Sequence, residues 1–138
     1  MTLAKQSGRQ DPIVGQALGA FGDVVSGTYL ACVDVPAGAI VTGGGLAVTT
    51  LFDSATTDKF SIGDKVGAAA AVADTYAAQS ADVTVAGTWI PIVPTGKKYA
   101  SPGSVGVVWT GVGAAPAAGA FRLIVQYIKD GRAAFAQG

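Results

Sequence analysis

The side chains that could carry chemistry in this chain are nine aspartates, nine lysines and arginines, one cysteine and a scatter of hydroxyls; histidine and glutamate are absent. Histidine is the commonest general base and metal ligand near neutral pH, so its absence removes most acid–base and metal mechanisms at once. Every carboxylate must then be an aspartate. Asp53, Asp58 and Asp64 lie near one hairpin and could converge on calcium, which takes oxygen ligands. Their spacing does not follow an EF-hand loop, and solvated hairpin ends account for them more simply. A glycosidase needs two carboxyls roughly 5–9 Å apart, one of them with a raised pKa. Aspartates at strand ends meet that requirement only by chance.

The remaining motifs also fail on inspection. Gly111-Val112-Gly113 is followed by Pro116 where a dinucleotide fingerprint needs its third glycine. Gly96-Lys97 lacks the earlier glycine of a P-loop, and Lys98 stands where Ser or Thr should follow. Ser61 and Lys59 share a strand face, as residues i and i+2 always do. Lys97-Lys98 beside Tyr99 is the one basic pair next to an aromatic, too little charge for a phosphate-binding surface. It reads as a solvated turn or an interface salt bridge. Cys32 is the only cysteine, which rules out an internal disulfide and a cysteine metal site, and it reads as a small buried hydrophobe. No catalytic residue, metal or cofactor is expected, and the chain reads as a non-enzyme.

Composition points the same way. In 138 residues, half are hydrophobic, mostly Ala and Val, twenty are Gly and only 13% are charged. That length suits one domain able to bury a core unaided. The charges cancel, so no global field draws the protein to nucleic acid or to an anionic membrane. A low-charge surface at zero net charge favours association, and membership of an assembly is expected. The N-terminus lacks the apolar stretch of a signal peptide. The uncharged windows Val35 to Phe52 and Tyr99 to Phe121 are too broken by Pro, Thr and Gly for a membrane helix, so a soluble chain is expected.

Positioning falls to strands and turns. Leu46, Val48, Thr50 and Phe52 alternate with Ala47, Thr49 and Leu51; after the connector Asp53 to Asp58, Phe60 and Ile62 alternate again. That pattern predicts a hairpin with one buried face. Pro36-Ala37-Gly38 predicts a turn, and Gly43-Gly44-Gly45 a bulge or sharp bend between two strands. Val24 to Val35, broken near Ser26-Gly27, and Val83 to Ala86 and Thr88 to Val93 read as strands, the last demoted to an edge or a bulge by Pro91, with Trp89 as its core anchor. Trp89, Trp109, Phe52, Phe60 and Phe121 read as core rather than as a sugar platform. Val105, Val107 and Trp109 share one face, as do Phe121, Leu123, Val125 and Tyr127. The Ala-rich stretch Lys65 to Asp82 predicts a long loop with one helical turn around Ala68 to Asp74.

Residues 1–22 read as an arm that orders against a partner. Asp11-Pro12 is a helix start, and Ile13, Val14, Leu18 and Phe21 would form its short apolar face. The expected fold is all-β: an antiparallel β-sandwich, jelly-roll-like, over 23–132, with an extended N-terminal arm (1–22) and a C-terminal tail (133–138).

The series PAGAIVTGGGLAVTTLFDSATTDKFSIGD, the following loop with Tyr76, and the ending PAAGAFRLIVQYIKDGR resemble the small capsid decoration (cement) proteins of tailed bacteriophages. The resemblance covers roughly Ala31 to Arg132. It rests on the Pro36-Ala37-Gly38 turn, the Phe52-Asp53 hairpin opening, Ile62-Gly63-Asp64, and the closing Ala118-Gly119, Tyr127-Ile128 and Asp130-Gly131-Arg132. It implies a sandwich on the outside of an icosahedral head, made in the host cytoplasm. There it would bridge neighbouring major capsid subunits and hold the shell against genome pressure. The expected partners are the phage major capsid protein and the protein itself as a dimer or trimer, with no nucleic acid and no membrane. The candidate interface residues are Ile13, Val14, Leu18, Phe21, Tyr76, Lys97 and Lys98. A glycan- or receptor-binding module of a phage fibre or spike is the alternative, using exposed aromatics such as Trp89 or Tyr76.

Overall fold

The computed structural model describes residues 11–54 and 56–129. Eight strands follow in order: β1 (Ile13–Ala20), β2 (Tyr29–Val35), β3 (Ala39–Thr50), β4 (Thr57–Val66), β5 (Val72–Ala77), β6 (Thr88–Pro91), β7 (Gly103–Val112) and β8 (Ala120–Lys129). They form two four-stranded sheets, β1-β8-β3-β6 and β2-β7-β4-β5, antiparallel throughout. Each strand of the first half pairs with its mirror in the second: β4 with β5, β3 with β6, β2 with β7, β1 with β8. The chain is one long antiparallel hairpin wrapped into two layers, the eight-stranded double Greek key of a jelly roll. The expected all-β sandwich is the fold. Among the described residues, no helix is long and apolar enough to cross a membrane.

The turns and bulges follow local chemistry. Gly38 takes φ +84 in the turn after Pro36, and the Ala39 N–H closes it on the Pro36 carbonyl. The three glycines do not separate two strands, because β3 runs through them. They mark a register shift between Val41 and Gly43, and Gly44 at φ +117 has the Ile124 carbonyl where a Cβ would sit. Pro91 stands on an edge strand, as its missing N–H requires.

The core lies between the sheets. Phe60, Ile62, Leu46, Val48, Val105, Val107, Leu123 and Val125 are fully enclosed. At one end Phe52, Phe60, Trp109 and Phe121 pack together, Phe52 lying 5.2 Å from Phe60 and 5.6 Å from Trp109 between ring centres. The alternation expected of β8 is observed, with Arg122 exposed and Phe121, Leu123 and Val125 buried; in β7 the expected face of Val105, Val107 and Trp109 is buried, and Ser104, Gly106 and Val108 on its other face are buried as well.

Four expectations are corrected. Ile13, Val14 and Leu18 belong to strand β1, not to a helix, because the wall of β8 offers backbone partners to every residue from Ile13 to Ala20. Glycines weaken an isolated helix by about 1 kcal/mol each, and in the strand Gly15 and Gly19 leave room for Val33 and Phe121 beneath them. The loop expected over Lys65 to Asp82 contains β5, which pairs along the open edge of β4, so tertiary pairing overrides alanine's helix preference. Val83 to Ala86 is not a strand; Val83 is buried in a loop whose backbone N–H reaches the Asp58 carbonyl at 2.8 Å. Trp89 is not in the core. Ile90, opposite Leu46, takes the inward position, which leaves Trp89 outward and half exposed.

Candidate functional site

The three aspartates that might have shared a cation are far apart in role. Asp53 sits on the loop after β3 and accepts the backbone N–H groups of Ala117 (2.7 Å) and Ala118 (2.9 Å). Those two bonds, Ala118 first, hold its carboxyl below the ordinary range. Asp58 and Asp64 stand at opposite ends of β4, both pointing into the sandwich with Phe60 and Ile62. Asp58 accepts the Trp109 indole N–H at 2.9 Å. Among the described residues, no cluster of three metal-ligating side chains forms.

Asp64 is the centre of a polar network in the core. It is fully buried, and accepts from the Thr75 hydroxyl (2.6 Å), the Tyr99 hydroxyl (2.8 Å) and the Lys97 ammonium (2.6 Å). Tyr99 spends its proton on Asp64, so Tyr76, 2.9 Å away, donates to Tyr99. Burial alone would push the Asp64 carboxyl up; the bonds from Lys97, Thr75 and Tyr99, with the Lys97 charge, outweigh it and hold the carboxyl below its ordinary value. Burial pushes the Tyr99 hydroxyl far up, with Tyr76 and Asp64 adding to it, so it stays protonated. Every oxygen here is committed to a partner. The network pins the β6–β7 loop to β4 and β5.

The other cysteine and tyrosine chemistry is equally quiet. Cys32 is half buried on β2, pushed up to about 11 by burial, its thiol 3.3 Å from the Leu30 carbonyl. Tyr29 is pushed up to about 12, first by burial, and its hydroxyl lies 2.9 Å from the Ser104 hydroxyl.

What the fold does present is a surface. Register and alternation place Val14, Gln16 and Leu18 of β1, Arg122, Ile124, Gln126 and Ile128 of β8, Ile40, Gly43, Gly45 and Ala47 of β3, and Trp89 and Pro91 of β6 on the outer face of one sheet. Arg122 is its one charge. Trp89 lies flat over Gly45, in the space that a side chain there would occupy. Val14, Leu18 and Trp89 are 59%, 70% and 49% exposed, and beside Ile124 and Gln126 of β8 the face is flattened by Gly43, Gly45 and Ala47 of β3.

The sequence-chosen residues do not gather into one patch. Val14 and Leu18 lie on this face, while Ile13 turns inward opposite Tyr127 and Phe21 begins the turn beyond β1, 40% exposed. Tyr76 is core, 2% exposed, and supports the interior network. Lys97 is tied to Asp64; Lys98 is exposed at the sandwich end, its backbone bridged to Ile40. Sequence reasoning missed Trp89, Ile124, Ile128 and Ile40 as surface. The signal was present for β8, where the residues between Phe121, Leu123 and Val125 had to point outward.

No family model matches the chain and no curated protein is similar to it. Solved structures are. A chain of the cyanophage Pam1 capsid asymmetric unit is similar with a TM-score of 0.63 and 22% identity, over 92% of this chain and 90% of that one. A chain of the acid-stable capsid of Helicobacter pylori bacteriophage KHP30 is similar at 0.58 and 15%, over 90% and 96%. A chain of the Ralstonia phage GP4 capsid is similar at 0.56 and 19%, over 96% and 92%. At these identities the likeness is one of fold: this chain has a jelly-roll sandwich that is also found in chains of phage capsids.

Proposed function

We propose that the chain is a structural virion protein without enzymatic activity, which binds the outside of an assembled phage capsid, bridges major capsid subunits and stabilises the head. The observation that carries this reading is the likeness to chains in three phage capsids, each spanning nine-tenths or more of both chains. The smooth outer face of β1-β8-β3-β6 supports it and supplies the contact. Four strands about 4.8 Å apart, of four to twelve residues, give a face on the order of 500 Å². A standard interface buries about 800 Å² on each partner, so one such contact is weak. Bridging several subunits, or binding as an oligomer, raises occupancy through effective concentration without new contacts.

Purified protein is co-sedimented with heads of the encoding phage that lack this chain, and copies bound per head are counted. Saturable binding at a lattice stoichiometry is expected. Ile124→Lys, which sets a charge in the middle of the face, should weaken it at least tenfold while the variant stays folded. Absence of binding overturns the proposal. A half-exposed Trp89 also suits the flat side of a sugar, so a glycan array, with Trp89→Ala as control, tests the fibre or spike reading.

A further inference from the structure

Four strands form the edges of the two sheets, and three of them are interrupted. β6 has four residues and ends in Pro91. β2 bulges between Ala31 and Val33 and exposes Asp34; β5 shifts register on β4 and exposes Asp74. Bulges, prolines, charges and short length are the devices that stop a sheet edge from pairing with another chain. β1 has none of them. Its eight residues pair one-for-one with β8 from Ile13–Tyr127 to Ala20–Ala120 without a bulge, and include no charge and no proline. Along its other side, no strand among the described residues pairs with it. The same flank holds a cleft of about 330 Å³ between β1 and β2, lined by Leu18, Leu30, Cys32 and Phe121.

We propose that β1 pairs antiparallel with β1 of a second copy across a two-fold axis, joining two four-stranded sheets into one of eight strands. Residues opposite one another in an antiparallel pair share a face, so the axis must pass through a residue and not between two. Through Gln16 it sets Gln16 against its own counterpart, and two carboxamides can then exchange hydrogen bonds. The same register sets Val14 against Leu18 on the outer face, and Gly15 against Ala17 and Ile13 against Gly19 on the inner. An axis through Gly15 sets Val14 against Gln16, and one through Ala17 sets Gln16 against Leu18. Only the Gln16 register matches apolar with apolar and amide with amide. The strand is self-complementary, which is what an isologous dimer needs. This pairing does not depend on the capsid role.

The test uses the full chain, native and substituted. Light scattering of the native protein across a wide concentration range should show conversion of monomer to dimer. Leu18→Lys, at a 70% exposed position, should raise the dissociation constant at least tenfold. In a Cys32→Ser background, Gln16→Cys should form an intermolecular disulfide on mild oxidation, because directly opposed residues lie about 4.5–5.5 Å apart at Cα, within disulfide range. Thr49→Cys, exposed on β3, should not. Circular dichroism of the reduced proteins checks that each variant folds. A monomer at every concentration, a trimer, or a dimer whose Gln16→Cys form does not cross-link overturns the proposal. A monomer that still decorates heads rejects this pairing and leaves the capsid reading intact; a dimer that does not decorate does the reverse.

Discussion

Asp64 shows how a charged residue can be accommodated in a core. Its carboxylate has three donors and one countercharge, and Lys97 keeps a third of its own side chain in water, so the pair avoids the full desolvation cost of two buried ions. Asp64→Asn removes the charged acceptor and weakens the bonds from Lys97 and Tyr99. Hydrogen bonds to charged groups are worth about 1.5–3 kcal/mol, so a fall in Tm of roughly 5–12 °C is expected for this chain length, read by calorimetry at pH 7. The pH dependence has a definite sign. The Asp64 carboxyl is held below its unfolded value of about 3.9, so its contribution is complete above that pH and is lost as pH falls through the folded value. Tm should therefore drop between roughly pH 5 and 3 in the native protein and drop less in Asp64→Asn. Asp53, held low by the Ala118 and Ala117 N–H groups, supplies part of the slope that remains.

β1 changes its meaning once the fold is known. Its inward positions are Ile13, Gly15, Ala17 and Gly19, and a Cβ at Gly19 would run into the Phe121 ring. Phe121 is 1% exposed and stacked on Phe52 at 6.5 Å, so it has no room to yield. Gly19→Val should destabilise the protein by about 1–3 kcal/mol in urea unfolding, the usual cost of overpacking. A solvent-facing arm would tolerate the same change. Removal of residues 1–22 likewise strips a strand from β8 and uncovers Phe121 and Val33, so truncation is expected to lower stability as well as capsid binding. β6 teaches the complementary lesson: with four residues and one inward anchor, Ile90, it can afford to turn its tryptophan outward.

At the scale of the molecule, the long-hairpin wrap makes β8 and β3 the central strands of one sheet and β7 and β4 those of the other, each paired on both sides. Val125 sits in the middle of β8, fully buried, facing the opposite sheet. Val125→Asp places an unpaired charge there, which costs more than the whole stability of a small domain, and no folded soluble protein should be recovered. A cooperative unfolding transition for that variant would mean the faces of β8 are reversed. Head binding belongs to this scale too: Ile124→Lys, one residue away and on the other face, should fold normally and lose the capsid.

The sequence by itself determined the class of fold. Alternation in β3, β4, β7 and β8 named the inward Leu46, Val48, Phe60, Ile62, Val105, Val107, Leu123 and Val125, but not Thr50, which is exposed beyond the register shift after Val48. Those strands were legible because two-residue periodicity is a local property of a half-buried strand. β1 and β5 were not, since their glycines and alanines carry weak preferences and take their conformation from the strand beside them; β6 was legible as an edge strand, but not which of its faces is buried. For the same reason only the tertiary structure decided the site. Trp89 was an anchor until Ile90 took the core, Tyr76 was a loop residue until β5 paired with β4, and Lys97 was a surface charge until wrapping brought Asp64, 33 positions away, to within 2.6 Å. Which face of a short strand is buried depends on what lies opposite, and that partner comes from distant sequence.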